Sequence, residues 1–377
     1  KHHGKHHGPM ARLTVGGQGQ AITQPDLATI NLGVSTRAAT AAEAMAQNAD
    51  AQAKVIETLK AEGIEARDIQ TAFTAQDLDP STSNLCAVLA VVEQESTYRA
   101  DPPVPGLGGI AIGEIKRRAA AKHVPEFAID AALKLRAPDG RTYAERLQAL
   151  RSEREMSELF EEMVARLPLG SGRLFAGLNP VRTGGPMQVR VDFAERYARG
   201  YPYSVDGSIR HEVFSRRGGL YFGIKHLLGY PADYDKPLYR FADFNAGWHA
   251  SRNAAFQQAV AIASGKKLVR DGDLLTPGAS MNKPGATEAA LRSIDMLLGM
   301  DATAIRADLK RGDATGFDET ALYRAVFAMA DRKGTGKPVA RARVPDIALE
   351  SPKITRKLTA AWVAGRVESR WNACMAR

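Results

Sequence analysis

Asn84-Leu-Cys-Ala-Val-Leu-Ala-Val-Val-Glu-Gln-Glu-Ser-Thr-Tyr98 is the stretch on which the reading of this chain turns. Its apolar run, Leu85 to Val92, contains no Gly or Pro and leads directly into Glu93, Glu95, Ser96 and Tyr98. At about 100° per residue, Leu85, Val88 and Val92 share one helical face and Leu89 stands beside it. Glu95 falls at the rim of that face, whereas Glu93 lies beyond Leu89. A carboxyl at the rim of an apolar surface loses hydration, which raises its pKa and keeps its proton near neutral pH. That is what a general acid requires. A solvated glutamate at a helix end is the other reading of the same residues.

Working outward, the pattern from Ala72 to the C-terminus is helical, broken by Gly/Pro-rich loops at 102–113, 168–187, 200–208, 229–237, 272–285 and 334–346. Hydrophobic periodicity predicts helices near 66–77, 82–98, 112–122, 125–135, 141–151, 153–166, 187–199, 207–228, 238–248, 250–264, 285–298, 301–311, 317–332 and 352–373. Ser351 is the expected N-cap of the last of these, with Pro352 at its first position. Before Ala72 the pattern differs. Arg12–Thr23 and Ala28–Thr36 alternate apolar and polar residues around Gln24-Pro25-Asp26 and read as two antiparallel strands. Ala39–Ala61 follows as an Ala-rich helix ending at Glu62-Gly63. Such a β-β-α unit leaves an apolar face that must find a partner. The expected fold class is mainly α, a multi-helix domain preceded by a small β-β-α segment.

The 377 residues include 44% hydrophobic and 25% charged side chains, two cysteines, and 51 Lys+Arg against 42 Asp+Glu, for a formal charge of +9. Collagen-like, disulfide-dense and largely disordered chains are excluded by these figures. No apolar stretch approaches the length of a membrane-spanning helix. Residues 1–10 read as an expression tag holding four of the eight histidines, so a native signal peptide need not be present in this sequence. Residues 11–70 are slightly acidic, and the positive balance lies in residues 71–377. A basic surface favours an anionic partner, although it also serves solubility alone. No basic run interleaved with aromatics supports nucleic acid as that partner.

Three further motifs stand in the helical part. Thr183-Gly-Gly-Pro-Met-Gln-Val189 has paired glycines that let a backbone approach a ligand, or that simply make a turn, and Gln188 offers a donor and an acceptor. Arg216-Arg-Gly-Gly-Leu-Tyr-Phe-Gly-Ile-Lys-His-Leu-Leu-Gly-Tyr230 carries small residues at 218, 219 and 223 that permit close packing. Tyr239-Arg-Phe-Ala-Asp-Phe-Asn-Ala-Gly-Trp248 gathers aromatics and an amide before a glycine. His123, His211, His226 and His249 are scattered, without metal-ligand spacing. No metal or other cofactor is expected.

The order E-S-x-Y, G-x-M-Q-V, G-G-L-Y-F-G-I-x-x-L-L, A-D-F-N-A-G resembles the lysozyme-like fold of soluble lytic transglycosylases and goose-type lysozymes. By that resemblance Glu95 matches the catalytic acid, Ser96 its neighbour and Tyr98 the aromatic residue that follows. Met187 and Gln188 match the M-Q pair, Tyr221 the tyrosine of the packed helix, and Phe244, Asn245 and Gly247 the Y-N-A-G segment. The resemblance implies that the glutamate protonates the glycosidic oxygen of peptidoglycan and that the other residues line the sugar site. The 93 positions from Glu95 to Gln188 then imply a helical insertion spanning roughly 107 to 180. Domain limits follow as a tag at 1–10, the β-β-α segment at 11–68, a lysozyme-like domain at 69–270 and a C-terminal helical extension at 271–377.

Over a longer span, from about Ile69 to Arg377, the chain resembles an uncharacterised proteobacterial lipoprotein family, the YaiW-like proteins. N-L-C-A-V-L-A-V-x-E-Q-E-S, L-N-P-V-x-T-G-G-P-M-Q-V, F-S-R-R-G-G-L-Y-F-G-I and L-E-S-P-K-I-T-R-K-L-T carry that likeness. Residues 12–71, through T-V-x-G-Q-G and P-D-L-A-T-I-N-L-G-V, are similar to the opening of SIMPL, a family of bacterial envelope proteins. Both resemblances imply the periplasm or the outer membrane, with membrane attachment only through a lipid anchor. In that oxidising setting Cys86 and Cys374 are expected to form one disulfide rather than remain free thiols.

Two functions from different classes follow. One is a peptidoglycan-cleaving enzyme with Glu95 as its acid. The other is a non-catalytic lipoprotein that binds an anionic envelope glycan, a peptide or an envelope protein partner in the same cleft. A hydrolase needs a second carboxylate, for which Asp101, Asp192, Asp206, Glu212 and Asp243 are available. A transglycosylase manages with one glutamate, because an intramolecular sugar hydroxyl replaces water. A Glu95 carboxylate paired with an arginine such as Arg216 favours the binding protein instead.

Overall fold

In a computed structural model, residues 17–23, 26–32, 65–166, 178–334, 336–349 and 358–376 are described. Among them the chain is mainly helical, as its periodicity predicts. Strands β1 (Gly17–Thr23) and β2 (Asp26–Leu32) pair antiparallel, with Gly17 opposite Leu32 and Thr23 opposite Asp26. The expected helix at 39–61 lies outside the described residues. No described helix is long and apolar enough to cross a membrane.

The chain divides into two compact units, Lys1–Leu85 with Val92–Ile224, and Cys86–Val91 with Lys225–Arg377. Helix α1 (Ala66–Ala75) belongs to the first, and α2 (Thr82–Ser96), which contributes residues to both, is capped by Ser81 accepting from the Asn84 N–H at 3.3 Å. In the first unit the helices α3 (Leu107–Ala121), α4 (Glu126–Lys134), α5 (Tyr143–Gln148) and α6 (Glu153–Ala165) bury Leu107, Ile115, Ile129, Tyr143, Leu147 and Phe160 around one core. Gly108 stands at the closest approach there, since a Cβ on it would lie 2.5 Å from the Leu147 carbonyl oxygen.

Residues 187–199, expected to be one helix, begin instead as a hairpin. Strands β3 (Thr183–Gly184) and β4 (Val189–Arg190) pair antiparallel, and helix α7 (Val191–Arg196) starts only after them. The expected helix 207–228 is likewise two helices, α8 (Ile209–Phe214) and α9 (Arg216–Leu228). Ser215 between them is extended, and its hydroxyl accepts from the Gly218 N–H at 3.0 Å.

The second unit holds α10 (Pro237–Ala246), α11 (Ala250–Ser264), α12 (Ala286–Arg292), α13 (Asp295–Leu298), α14 (Ala302–Leu309), α15 (Ala321–Lys333) and α16 (Ala360–Met375). Its core gathers Phe256 of α11, Leu291 of α12, Ile305 of α14 and Val326 and Phe327 of α15. Phe256 stacks on Tyr323 with ring centres 5.6 Å apart and meets Phe317 edge-on at 5.0 Å. Helix α16 is capped by Thr359, whose hydroxyl accepts from the Trp362 N–H at 3.1 Å. The caps expected at Ser351 and Pro352 lie outside the described residues. Cys374 on α16 and Cys86 form the disulfide, with Cα atoms 5.6 Å apart.

Candidate functional site

Helix α2 ends where its apolar face ends. Thr97 and Tyr98 both turn left-handed, with φ of 50° and 64°, and the Thr97 N–H donates to the Glu93 carbonyl. Ser96 is buried and its hydroxyl donates back to the Val92 carbonyl at 3.0 Å, so its oxygen serves the helix end. Glu95, one residue before, is only partly exposed. Burial pushes its carboxyl up to about 7, and among the described residues no cation offsets that rise, Arg216 included. A desolvated carboxyl with this pKa is half protonated at neutral pH and can both give and take a proton.

The Gly-Gly-Pro-Met-Gln turn is built from the other glycines. The Gln188 N–H donates to the Gly185 carbonyl at 3.0 Å, with Gly185 at φ +76° and Gln188 at +50°. A Cβ on Gly185 would come within 2.3 Å of the Val213 carbonyl oxygen, and one on Gly219 within 3.0 Å of the Gly185 Cα. The paired glycines therefore serve backbone-to-backbone packing of hairpin against helix. Met187 is wholly buried, and a Cβ on Gly223 would lie 2.5 Å from its sulfur. Gln188 spends its amide locally, donating to the Gly185 carbonyl at 3.2 Å and accepting from the Thr183 hydroxyl at 3.3 Å. Tyr221 is also buried, its hydroxyl donating to the Gly200 carbonyl at 3.2 Å.

Beside that packing lies a charged cluster that sequence periodicity did not single out as a unit. Glu212 is 2% exposed and accepts from Arg217 at 3.0 and 3.1 Å, from the Asp206 N–H at 3.1 Å and from the Tyr201 hydroxyl. Burial alone would raise the Glu212 carboxyl, but Arg217, Tyr201 and the Asp206 N–H together hold it below its ordinary value. Asp101 accepts from the Ser152 hydroxyl at 2.7 Å, and Asp192 is paired with Arg190 at 2.5 Å.

In the second unit, Phe244 is buried against the His226 ring at 4.9 Å, and Gly247 takes φ +115° as the end of α10. Asn245 is exposed and its amide donates to the Phe241 carbonyl at 3.3 Å. Asp243 is fully buried and accepts from the Tyr230 and Tyr234 hydroxyls at 2.8 and 2.7 Å and from the Ser251 N–H at 2.6 Å. Burial pushes its carboxyl up against those three bonds. Of the five carboxylates available to a hydrolase, Asp101, Asp192, Glu212 and Asp243 are thus held by other side chains. His249, which the sequence offers only as one of four scattered histidines, stands at the start of α11, a place that only the fold reveals.

The family model for a protein of unknown function, DUF1615, matches residues 59–377. A second, SIMPL, a protein of unknown function (DUF541), matches residues 13–101 and so overlaps the first. The uncharacterised protein YaiW of Escherichia coli (strain K12) is 54% identical over 310 residues, covering 82% of this chain and 84% of its own. The 26 kDa periplasmic immunogenic proteins of Brucella melitensis and Brucella abortus are each 48% identical over 61 residues, covering 16% of this chain and 24% of theirs. No solved structure matches.

Proposed function

The chain belongs to the DUF1615 family of proteins of unknown function, and we propose that it cleaves peptidoglycan glycan strands in the cell envelope with Glu95 as its one acid. The observation that carries this reading is the Glu95 carboxyl, raised to about 7 by burial with no cation beside it among the described residues. In the proposed reaction, protonated Glu95 gives its proton to the glycosidic oxygen as the bond to the anomeric carbon breaks. The resulting carboxylate takes the proton of a hydroxyl on the same sugar as that oxygen closes on the anomeric carbon. The strand leaves with an anhydro end and the acid is restored. Hydrolysis would need a second, free carboxylate, and four of the five candidates are engaged elsewhere. The lysozyme-like motif order, with Ser96, Tyr98, Met187, Gln188, Tyr221, Phe244, Asn245 and Gly247 at its matching places, belongs to this proposal.

An envelope location is part of it. The disulfide suits an oxidising compartment, and the Brucella proteins similar to part of this chain are named periplasmic. A lipid anchor at the outer membrane fits the same reading. One observation favours the non-catalytic alternative, a lipoprotein that binds glycan or an envelope partner: the Gln188 and Asn245 amides both turn back onto their own elements. The test is digestion of isolated peptidoglycan by wild type and Glu95→Gln. Anhydro-muropeptides released by the wild type alone support cleavage. Equal release by both, or by neither, sinks it, and retention of the protein on the cell wall without release favours the binding protein.

A further inference from the structure

The second unit contains a pocket of about 980 Å³, and none of its lining residues comes from the first unit. Its walls are rigid for reasons visible in the hydrogen bonding. Tyr234 is pinned through its hydroxyl to Asp243, and Tyr239 meets the Tyr234 ring edge-on at 5.6 Å. Arg240 is tied to the carbonyls of Leu227, Tyr230 and Ala232, and Arg252 to those of Gly312 and Ala314. Tyr323 lies flat on Phe256. A preorganised concave wall of aromatic rings with a few fixed polar groups is the usual form of a small-ligand site.

His249 gives the pocket its most informative group. It is 4% exposed, lines the cavity, and is held left-handed at φ 64° as the residue preceding α11. A non-glycine residue there carries backbone strain that its surroundings must hold. Among the described residues its ring meets Tyr230 edge-on at 5.0 Å, and its nitrogens make no hydrogen bond within the chain. Burial pushes the imidazole down to about 4, so at neutral pH it is uncharged, with one donor and one acceptor. The Tyr239 and Tyr323 hydroxyls likewise have no intramolecular partner among the described residues.

Charge decides the ligand class. The arginines of the wall already serve neighbouring carbonyls, and Arg252 faces Asp318 at 3.8 Å while Arg341 is paired with Asp331 at 2.8 Å. Asp233, Asp235 and Asp318 match Arg240, Arg252 and Arg341 in number around the cavity. An ion of either sign gains little from such a balance. A neutral ring with an apolar face and several hydroxyl or amide groups gains from the tyrosine rings, the free hydroxyls and the neutral imidazole together.

We propose that this pocket, walled by Tyr239, Tyr323 and His249 between Arg240 and Arg252, binds a neutral saccharide unit, a hexose or an N-acetylhexosamine. The site requires no chemistry at Glu95 and stands whether or not the chain cleaves glycans. The test titrates the full chain with chitotriose, maltotriose and inorganic phosphate, each up to about 10 mM, by calorimetry and saturation-transfer NMR. Saturable binding of either saccharide is expected, weakened about fivefold in Tyr323→Phe, the loss of one neutral hydrogen bond. Tyr239→Ala, which removes a ring, should weaken it further, and Glu95→Gln should leave it unchanged. Tyr323→Phe removes only a hydroxyl and keeps the stacked ring, so circular dichroism should match the wild type. Absence of saccharide binding overturns the proposal, whether or not phosphate binds. So does binding that neither tyrosine substitution weakens, or that Glu95→Gln abolishes.

Discussion

Replacing Glu95 by glutamine should change the stability of this protein in a way that depends on pH. In the unfolded chain the Glu95 carboxyl titrates near 4.5, and in the fold burial raises it to about 7. Between those values the folded state holds a proton that the unfolded state has released, so this group's contribution to stability declines as pH rises. It is fully present below about pH 4.5 and lost above about pH 7. Each pKa unit is worth about 1.4 kcal/mol, so the ionised carboxylate costs the fold up to about 3 kcal/mol at pH 8. Glutamine has the same shape and no proton to lose. The variant should therefore match the wild type near pH 4 and exceed it by about 2–3 kcal/mol at pH 8. Urea unfolding of both proteins at pH 4, 5, 6, 7 and 8 measures the difference, with the disulfide intact. Because both chains share every other titrating group, His249 included, those contributions cancel in the subtraction. A constant difference across the range would refute the desolvation of Glu95, and with it the physical basis for calling it an acid.

The same carboxyl sets the pH dependence of any cleavage: release of anhydro-muropeptides should fall as pH rises through about 7, and a rate that climbs from pH 7 to 9 would remove Glu95 from the acid role. Cys86 and Cys374 should resist alkylation until reductant is added. Replacing both by serine should cost up to about 5 kcal/mol, because the bridge closes a loop of 288 positions, and an unchanged unfolding midpoint would contradict it. Gly185→Ala should destabilise the fold by more than about 3 kcal/mol in urea unfolding, since a Cβ there meets the Val213 carbonyl and the φ is positive; Gly200, with open space around it, should lose about 1 kcal/mol on the same change. Arg217→Ala leaves buried Glu212 without its main partner and should cost about 3–5 kcal/mol, with Arg217→Lys restoring only part of it.

Helical content was legible in the sequence because the signal for it is periodic. The apolar face of α2, the Ala-rich α11 and the limits of α6 follow from residue spacing, whereas the stretch expected as a helix from 317 opens with a 3-10 turn, Phe317–Glu319, and α15 begins only at Ala321. What escaped was set by single residues or by contacts distant in sequence. Val189 and Arg190 have the composition of the helix that follows them, yet a left-handed Gly185 and Gln188 close a turn first. Ser215 splits a helical stretch in two by capping the second part, a signal present in the sequence but hidden inside an unbroken apolar period.

The candidate site divides along the same line. The raised carboxyl of Glu95 was legible because its rim position on an apolar face is a local property of one helix, and desolvation follows from that position. The roles of the paired glycines and of Met187 are not local. Whether Gly185 admits a ligand or another backbone depends on what the fold places opposite, and here it is the Val213 carbonyl and Gly219. The saccharide pocket lies further still from any sequence pattern. Tyr239, His249 and Tyr323 come from three separate stretches, and nothing in their spacing marks them. Their common property is a polar atom with no partner among the described residues, which emerges only once every neighbouring group there has been assigned one. Buried Arg252, with two carbonyl partners, is explained by the fold itself, whereas a buried neutral imidazole with no partner among the described residues has its hydrogen-bonding capacity left for a ligand. On that reasoning His249 is the residue whose chemical environment should respond most to a bound sugar: its imidazole signals should shift on saccharide addition, while those of exposed His123 stay in place.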